Sequence, residues 1–111
     1  MKNKLKSAYE ARVKIIKAIA HPSRLFIIEE LKKKECCVGE LTEMIGADTS
    51  TVSKHLSILK NAGIVTDDKR ANSVYYSLRV PCILDFMSCI ENVLQNNAND
   101  QNEIVKSCRI K

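Results

Sequence analysis

Thr49-Ser50-Thr51-Val52-Ser53-Lys54-His55-Leu56 decides the fold. Val52, Leu56 and then Leu59 lie four and three residues apart, the spacing of one buried stripe on an α-helix. That helix starts at Thr49 or Ser50, either of which suits an N-cap, and runs to about Asn61, with Gly63 as its stop. Thr49, Ser50, Thr51, Ser53, Lys54 and Ser57 are left outward, with His55 at the flank. Short hydroxyls and one cation over an apolar stripe describe a helix that enters a DNA major groove by its N-terminal half.

Upstream, Val38–Ile45 reads as a short helix with Val38, Leu41 and Ile45 inward, capped by Gly46 and turned by Ala47-Asp48. Two helices joined by a short Gly-containing turn form a helix-turn-helix. Before them, residues 5–19 pattern as an amphipathic helix through Leu5, Ala8, Arg12, Ile15, Ile16 and Ile19. His21-Pro22 ends that helix, and Pro22 suits the first turn of the next. This second helix sets Leu25, Ile28 and Leu31 on one face and ends in Lys32-Lys33-Lys34-Glu35. Downstream, Ile64-Val65-Thr66 and Val74-Tyr75-Tyr76 predict a hairpin around a polar tip, residues 67–73. Lys69, Arg70 and Asn72 in the tip are candidate DNA contacts, the first two to phosphates or the minor groove. Pro81 opens a fifth helix, roughly 81–95, whose Ile83, Leu84, Phe86, Met87, Ile90, Val93 and Leu94 cover too wide an arc for a surface helix. Such an arc calls for a subunit interface. Residues 96–103 are polar and read as disordered. The fold class is therefore mainly α with a β-hairpin wing, a winged helix-turn-helix of about five helices. Residues 1–95 form the DNA-binding and dimerisation domain, and 96–111 a polar, flexible tail.

The 111 residues suffice for one domain, and a net charge of +5 favours a polyanionic partner. Five cysteines are an odd number, which excludes a fully paired disulfide framework within one chain. No leader pattern follows the charged start MKNKLKSAYEARVK, and no apolar run approaches a membrane span. The expectation is a cytoplasmic protein with reduced thiols, no membrane and double-stranded DNA as partner.

Ala20-His21-Pro22-Ser23-Arg24-Leu25, Val52-Ser53-Lys54-His55-Leu56-Ser57-Ile58-Leu59-Lys60-Asn61-Ala62-Gly63-Ile64-Val65 and Val74-Tyr75-Tyr76-Ser77-Leu78 together resemble the ArsR/SmtB family of bacterial and archaeal repressors. The resemblance spans roughly residues 10–95. It implies a homodimer through the first and fifth helices, bound to its operator until an effector releases it. It also implies a zinc site on the fifth helix, whose positions here are Val80, Cys82, Val93 and Asn96; only Cys82 can ligate, so zinc is not expected there. His21 reads as a helix cap.

The thiols are the second constellation. Glu35-Cys36-Cys37-Val38-Gly39-Glu40-Leu41 is similar to the family's arsenite- and cadmium-sensing box, E-L-C-V-C-D-L. Cys37 falls on the first family cysteine, Gly39 stands at the second, and Cys36 stands where Leu is usual. Thiolates select thiophilic ions, which makes As(III) or Sb(III), or another soft metal ion such as cadmium, the expected regulatory ligand, with no intrinsic cofactor. Trivalent arsenic takes three thiolates. Cys36 and Cys37 would supply two, and Cys82, Cys89 or Cys108 the third. Cys82 and Cys89, seven apart on one continuous helix, would sit roughly 10 Å from each other along it, too far to share one ion.

The function expected is a repressor that leaves DNA when thiolates bind a thiophilic ion. A thiol redox or persulfide switch on the same fold is the alternative. A thiol-dependent enzyme is a distant one, since adjacent cysteines are not the C-x-x-C redox motif and no base or phosphate loop accompanies them. His55 stays open between a base contact and packing at the helix–helix seam.

Overall fold

The computed structural model describes the backbone of residues 1–110 and the side chains of residues 1–102. The elements are α1 (Asn3–Ile19), α2 (Pro22–Lys33), β1 (Cys36–Cys37), α3 (Val38–Ile45), α4 (Thr49–Asn61), β2 (Val65–Arg70), β3 (Ser73–Leu78), a 3-10 turn (Pro81–Leu84) and α5 (Met87–Ile110). They fall into two units, Met1–Pro81 and Cys82–Lys111.

In the first unit α3 packs on α4, and α2 packs on both α4 and β3. The buried centre is Ile27, Ile28, Leu31, Leu41, Val52, Leu56, Leu59 and Ile64. The α4 stripe read from spacing is the stripe that is buried. On α2 the expected Leu25 is only half-buried and Ile27 takes its place in the core. On α3 only Leu41 is buried, with Val38 and Ile45 at its margins. His21 caps α2 as expected, its Nδ1 accepting the Ser23 N–H at 3.1 Å. Gly46 takes φ 77°, the left-handed conformation that an L side chain resists, and ends α3.

The sheet has three antiparallel strands in the order β1-β3-β2. The strands of the wing are longer than composition suggests. Asp67, Asp68, Lys69 and Arg70, read as loop, pair with Tyr76, Tyr75, Val74 and Ser73. Cross-strand aromatic and β-branched partners override the weak strand preference of Asp and Lys. The tip shrinks to Ala71-Asn72, with Ala71 at φ 51°. β1 was not anticipated. It pairs Cys36 with Tyr76 and Cys37 with Tyr75.

Most of α1 is exposed, buried only at Ala18 and Ile19. Leu5, Tyr9, Val13 and Ile16 lie four, four and three residues apart, one open apolar stripe. Pro81, the last residue of the first unit, opens the 3-10 turn rather than the fifth helix, and in the second unit α5 starts at Met87. Phe86, Ile90, Val93 and Leu94 are exposed there. Residues 96–103, read as disordered, continue α5 as helix. The segment holds no Pro or Gly, and Gln95 Nε2 donates to Asn99 Oδ1 one turn on at 3.4 Å. No helix among the described residues is long and apolar enough to cross a membrane.

Candidate nucleic-acid interface and thiol segment

The N-cap of α4 is Asp48, not Thr49 or Ser50. Asp48 Oδ1 accepts the Thr51 N–H at 2.7 Å and the Ser50 hydroxyl at 3.0 Å. Hydrogen bonds from Thr51, through side chain and backbone, and then from Ser50 hold the Asp48 carboxyl below its ordinary value. The cap satisfies an orphan amide and complements the helix dipole. It also sets an anion beside the free amides of the first turn of α4. Thr49, Ser50, Thr51, Lys54 and Ser57 are exposed and Ser53 is half-buried.

His55 has partners inside the fold. Its Nδ1 lies 3.2 Å from Arg24 Nη1, and its ring centroid is 4.5 Å from that of His21. Arg24 is itself anchored by its Nε on the Ala18 carbonyl at 2.6 Å. Burial first, then the neighbouring His21 and Arg24, push the His55 pKa down. The imidazole thus belongs to the seam between α2 and α4.

The wing is tied to α4 by Lys60 Nζ on Asp67 Oδ2 at 2.8 Å. Lys69 is exposed and forms no salt bridge among the described residues. Arg70 is engaged from three sides. Nη1 and Nη2 donate to the two oxygens of Glu35, the second at 3.0 Å, and Nε donates to Asp68 Oδ2 at 2.9 Å. Its guanidinium carbon stands 4.9 Å from the centre of the Tyr75 ring. Hydrogen bonding to Glu35 first, then to Asp68, raises the Arg70 pKa. Sequence reading missed Glu35, Asp68 and Tyr75, because their proximity depends on the register of β1 and β2 against β3.

The two vicinal cysteines part company. Successive side chains on a strand point to opposite faces. Cys36 is wholly buried, its Sγ donating to the Lys34 carbonyl at 3.6 Å. Burial first, then Glu40, raises its pKa, with Lys34 opposing. Cys37 is half-buried and is the N-cap of α3, and its backbone N–H donates to Glu40 Oε1 at 3.2 Å. Cys37-Val38-Gly39-Glu40 is therefore a capping box with Cys in the place of Ser or Thr, a signal visible in the spacing. That amide first, then the Cys37 side chain and Lys34, lowers the Glu40 pKa. A Cβ built on Gly39 would lie 3.9 Å from Cys37 Sγ, so the family's second cysteine would sit beside the first.

A cleft of about 350 Å³ brings Cys37, Val38 and Gly39 together with Thr49 and Ser53 of α4 and Asn72, Ser73 and Val74 of the wing. One sensing candidate thus shares a hollow with three DNA-contact candidates. Cys82, on the 3-10 turn, and Cys89, on α5, are exposed. The continuous helix assumed to join them is broken between Leu84 and Met87. Cys108 lies outside the described side chains. Among the described residues no three of His, Cys, Asp and Glu gather as a metal site. Within the vicinal pair, Cys36 is buried and Cys37 lines the cleft, so the two thiols are not equally accessible.

A reading helix packed on a second helix and followed by a hairpin defines a winged helix-turn-helix regulator. Residues 21–67 match the family model described as bacterial regulatory protein, arsR family. The chain is 30% identical over 86 residues to the transcriptional repressor SdpR of Bacillus subtilis, covering 78% of this chain and 96% of that protein. The crystal structure of NolR from Sinorhizobium fredii superposes with a TM-score of 0.75 at 27% identity, over 84% of this chain and 93% of that one. Reduced HlyU from Vibrio cholerae gives 0.70 at 27% identity, over 83% and 97%. The chain belongs to the ArsR family, and is a transcriptional regulator rather than an enzyme.

Proposed function

We propose that the protein is a cytoplasmic, homodimeric repressor that binds double-stranded operator DNA and leaves it when a thiol-directed effector arrives. The observation that carries the DNA reading is the exposed row Thr49, Ser50, Thr51, Lys54 and Ser57 above the buried stripe of α4. The wing follows with Lys69 free to meet a phosphate and Asn72 at its tip. Ser53 reaches the same face from its half-buried position. The open stripes on α1 and on α5 support a dimer through those helices, since exposed Leu5, Tyr9, Ile16, Val93 and Leu94 call for cover. A dimer would set two recognition helices roughly 34–36 Å apart, one turn of DNA.

For the signal we assign the leading role to Cys37. It is the accessible member of the vicinal pair and lines the cleft shared by α4 and the wing. An adduct on that sulfur would occupy the cleft between the two DNA-reading elements. As(III) or Sb(III) remains the first effector to try. Because no three thiolates gather among the described residues, a redox or persulfide change at Cys37 is the second reading. Cys36 serves the core, and Cys82 and Cys89 are held as auxiliary thiols.

Anisotropy of a labelled fragment from the gene's own upstream region tests both parts. Reduced protein is titrated without oxygen, then arsenite is added. Tight binding released by arsenite, with release lost in Cys37→Ser, is the expected result. Binding released by a persulfide donor but not by arsenite selects the second reading. Failure to bind at low salt overturns the repressor reading for that promoter.

A further inference from the structure

We propose that Glu35 is a positioning residue that sets DNA affinity, by holding Arg70 away from the phosphate backbone. The inference rests on the α4 and wing face being the DNA-binding face. Arg70 is the cation nearest the wing tip, yet each nitrogen of its planar fork already donates to a carboxylate. Glu35 takes Nη1 and Nη2 in the parallel geometry that makes Arg–carboxylate pairs specific. Asp68 takes Nε at 2.9 Å. One guanidinium facing two carboxylates leaves the cluster net negative, so it repels rather than attracts an approaching phosphate. Tyr75 completes the enclosure with its ring 4.9 Å from the guanidinium carbon.

The clamp is built by the sheet. Glu35 stands immediately before β1, and β1 is held on β3 by the pairing of Cys37 with Tyr75. Asp68 lies opposite the same Tyr75 on the other side of β3. Three strands thus converge on one arginine. Lys69, the adjacent residue, is left as the unclamped cation of the wing. DNA must exchange a phosphate for Glu35 before Arg70 contributes, which makes the wing a weaker clasp than its composition implies. Both clamp partners are partly exposed, Arg70 at 48% and Glu35 at 43% of the side chain, so the exchange requires no unfolding.

Salt titrations of binding to a labelled mixed-sequence duplex test the clamp, because each phosphate neutralised adds about 0.9 to the slope of log affinity against log salt. Glu35→Gln is expected to bind several-fold tighter than the parent, with the slope steeper by about one such unit. The gain is expected to vanish when Glu35→Gln is made on an Arg70→Gln background, since it passes through Arg70. An equal gain on both backgrounds would overturn the clamp and leave only the general field of a removed carboxylate. An unchanged or weaker Glu35→Gln would overturn it too. If the parent binds no duplex at low salt while its circular dichroism shows it folded, the DNA-binding reading falls, and the clamp with it.

Discussion

Helix α4 and the Cys36–Cys37 segment were the two stretches of sequence that promised function, and they are built by opposite logics. In α4 the structural and functional residues are separated by the helix period. Val52, Leu56 and Leu59 go inward, and Thr49, Ser50, Thr51, Lys54 and Ser57 stay out. Changing one set leaves the other intact. In the cysteine segment the same two side chains that suggest a sensor also fill the core and cap a helix. The lesson is that a reactive residue type carries structural duties wherever the backbone gives it a core or cap position. Exposed thiols on a polar face would need no such discount.

The largest effect should come from the core side of that contrast. Cys36→Ser places a hydroxyl at a fully buried strand position whose one polar neighbour, the Lys34 carbonyl, lies 3.6 Å from the longer-reaching sulfur, and a buried polar group so poorly hydrogen-bonded costs about 1–3 kcal/mol. Urea denaturation should show that loss, whereas Cys36→Val should stay near the parent. If Cys36→Ser proves as stable as the parent but blind to effector, Cys36 would be the sensor and the division drawn between the two thiols would break.

On α4 the effect should fall on binding and spare folding. Lys54→Ala removes an exposed cation from the reading face. A base contact would cost roughly 1–3 kcal/mol and relax specificity at one position, while a phosphate contact would weaken all sequences alike and lower the salt slope by about one. Thermal melts should be unchanged. A drop in stability would show that the outer row of α4 is structural after all.

His55 lies between the two logics and should respond to pH. Its folded pKa is held below the ordinary value of 6.5 by burial, His21 and Arg24. The folded state therefore takes up a proton less readily than the unfolded state. No cost applies well above 6.5; as pH falls through that value the unfolded chain gains protons first and stability declines. Comparison of melts at neutral pH and near pH 5 should show a smaller decline in His55→Gln than in the parent. An equal decline would remove His55 from the cause.

Much of this was legible because helix signals are local. Val38–Ile45 follows from its apolar spacing and the Gly46 cap, and α4 follows from its own stripe. The start of α5 was not legible, since Pro81 suits the first position of a 3-10 turn as well as that of an α-helix. The wing strands through Asp67–Arg70 and the two-residue β1 are decided by partners on β3, which for β1 are Tyr76 and Tyr75, far along the chain from Cys36 and Cys37. For the same reason, the Glu35–Arg70 clamp has no signature in either residue's neighbourhood. The opposite orientation of Cys36 and Cys37 follows at once from strand geometry, but only after the strand is known.

The smallest structural effect should come from Cys37→Ser. Serine is among the preferred N-cap residues, and the reciprocal bond from residue 37 N–H to Glu40 Oε1 uses the backbone, which the substitution keeps. Stability should therefore move by no more than about 0.5 kcal/mol, within the range of surface substitutions, and the salt dependence of DNA binding should match the parent. Against that unchanged background, loss of effector response isolates the sulfur itself. An unaltered response in Cys37→Ser would transfer sensing to the exposed Cys82 and Cys89. The vicinal pair would then be wholly structural, one cysteine filling the core and the other opening α3.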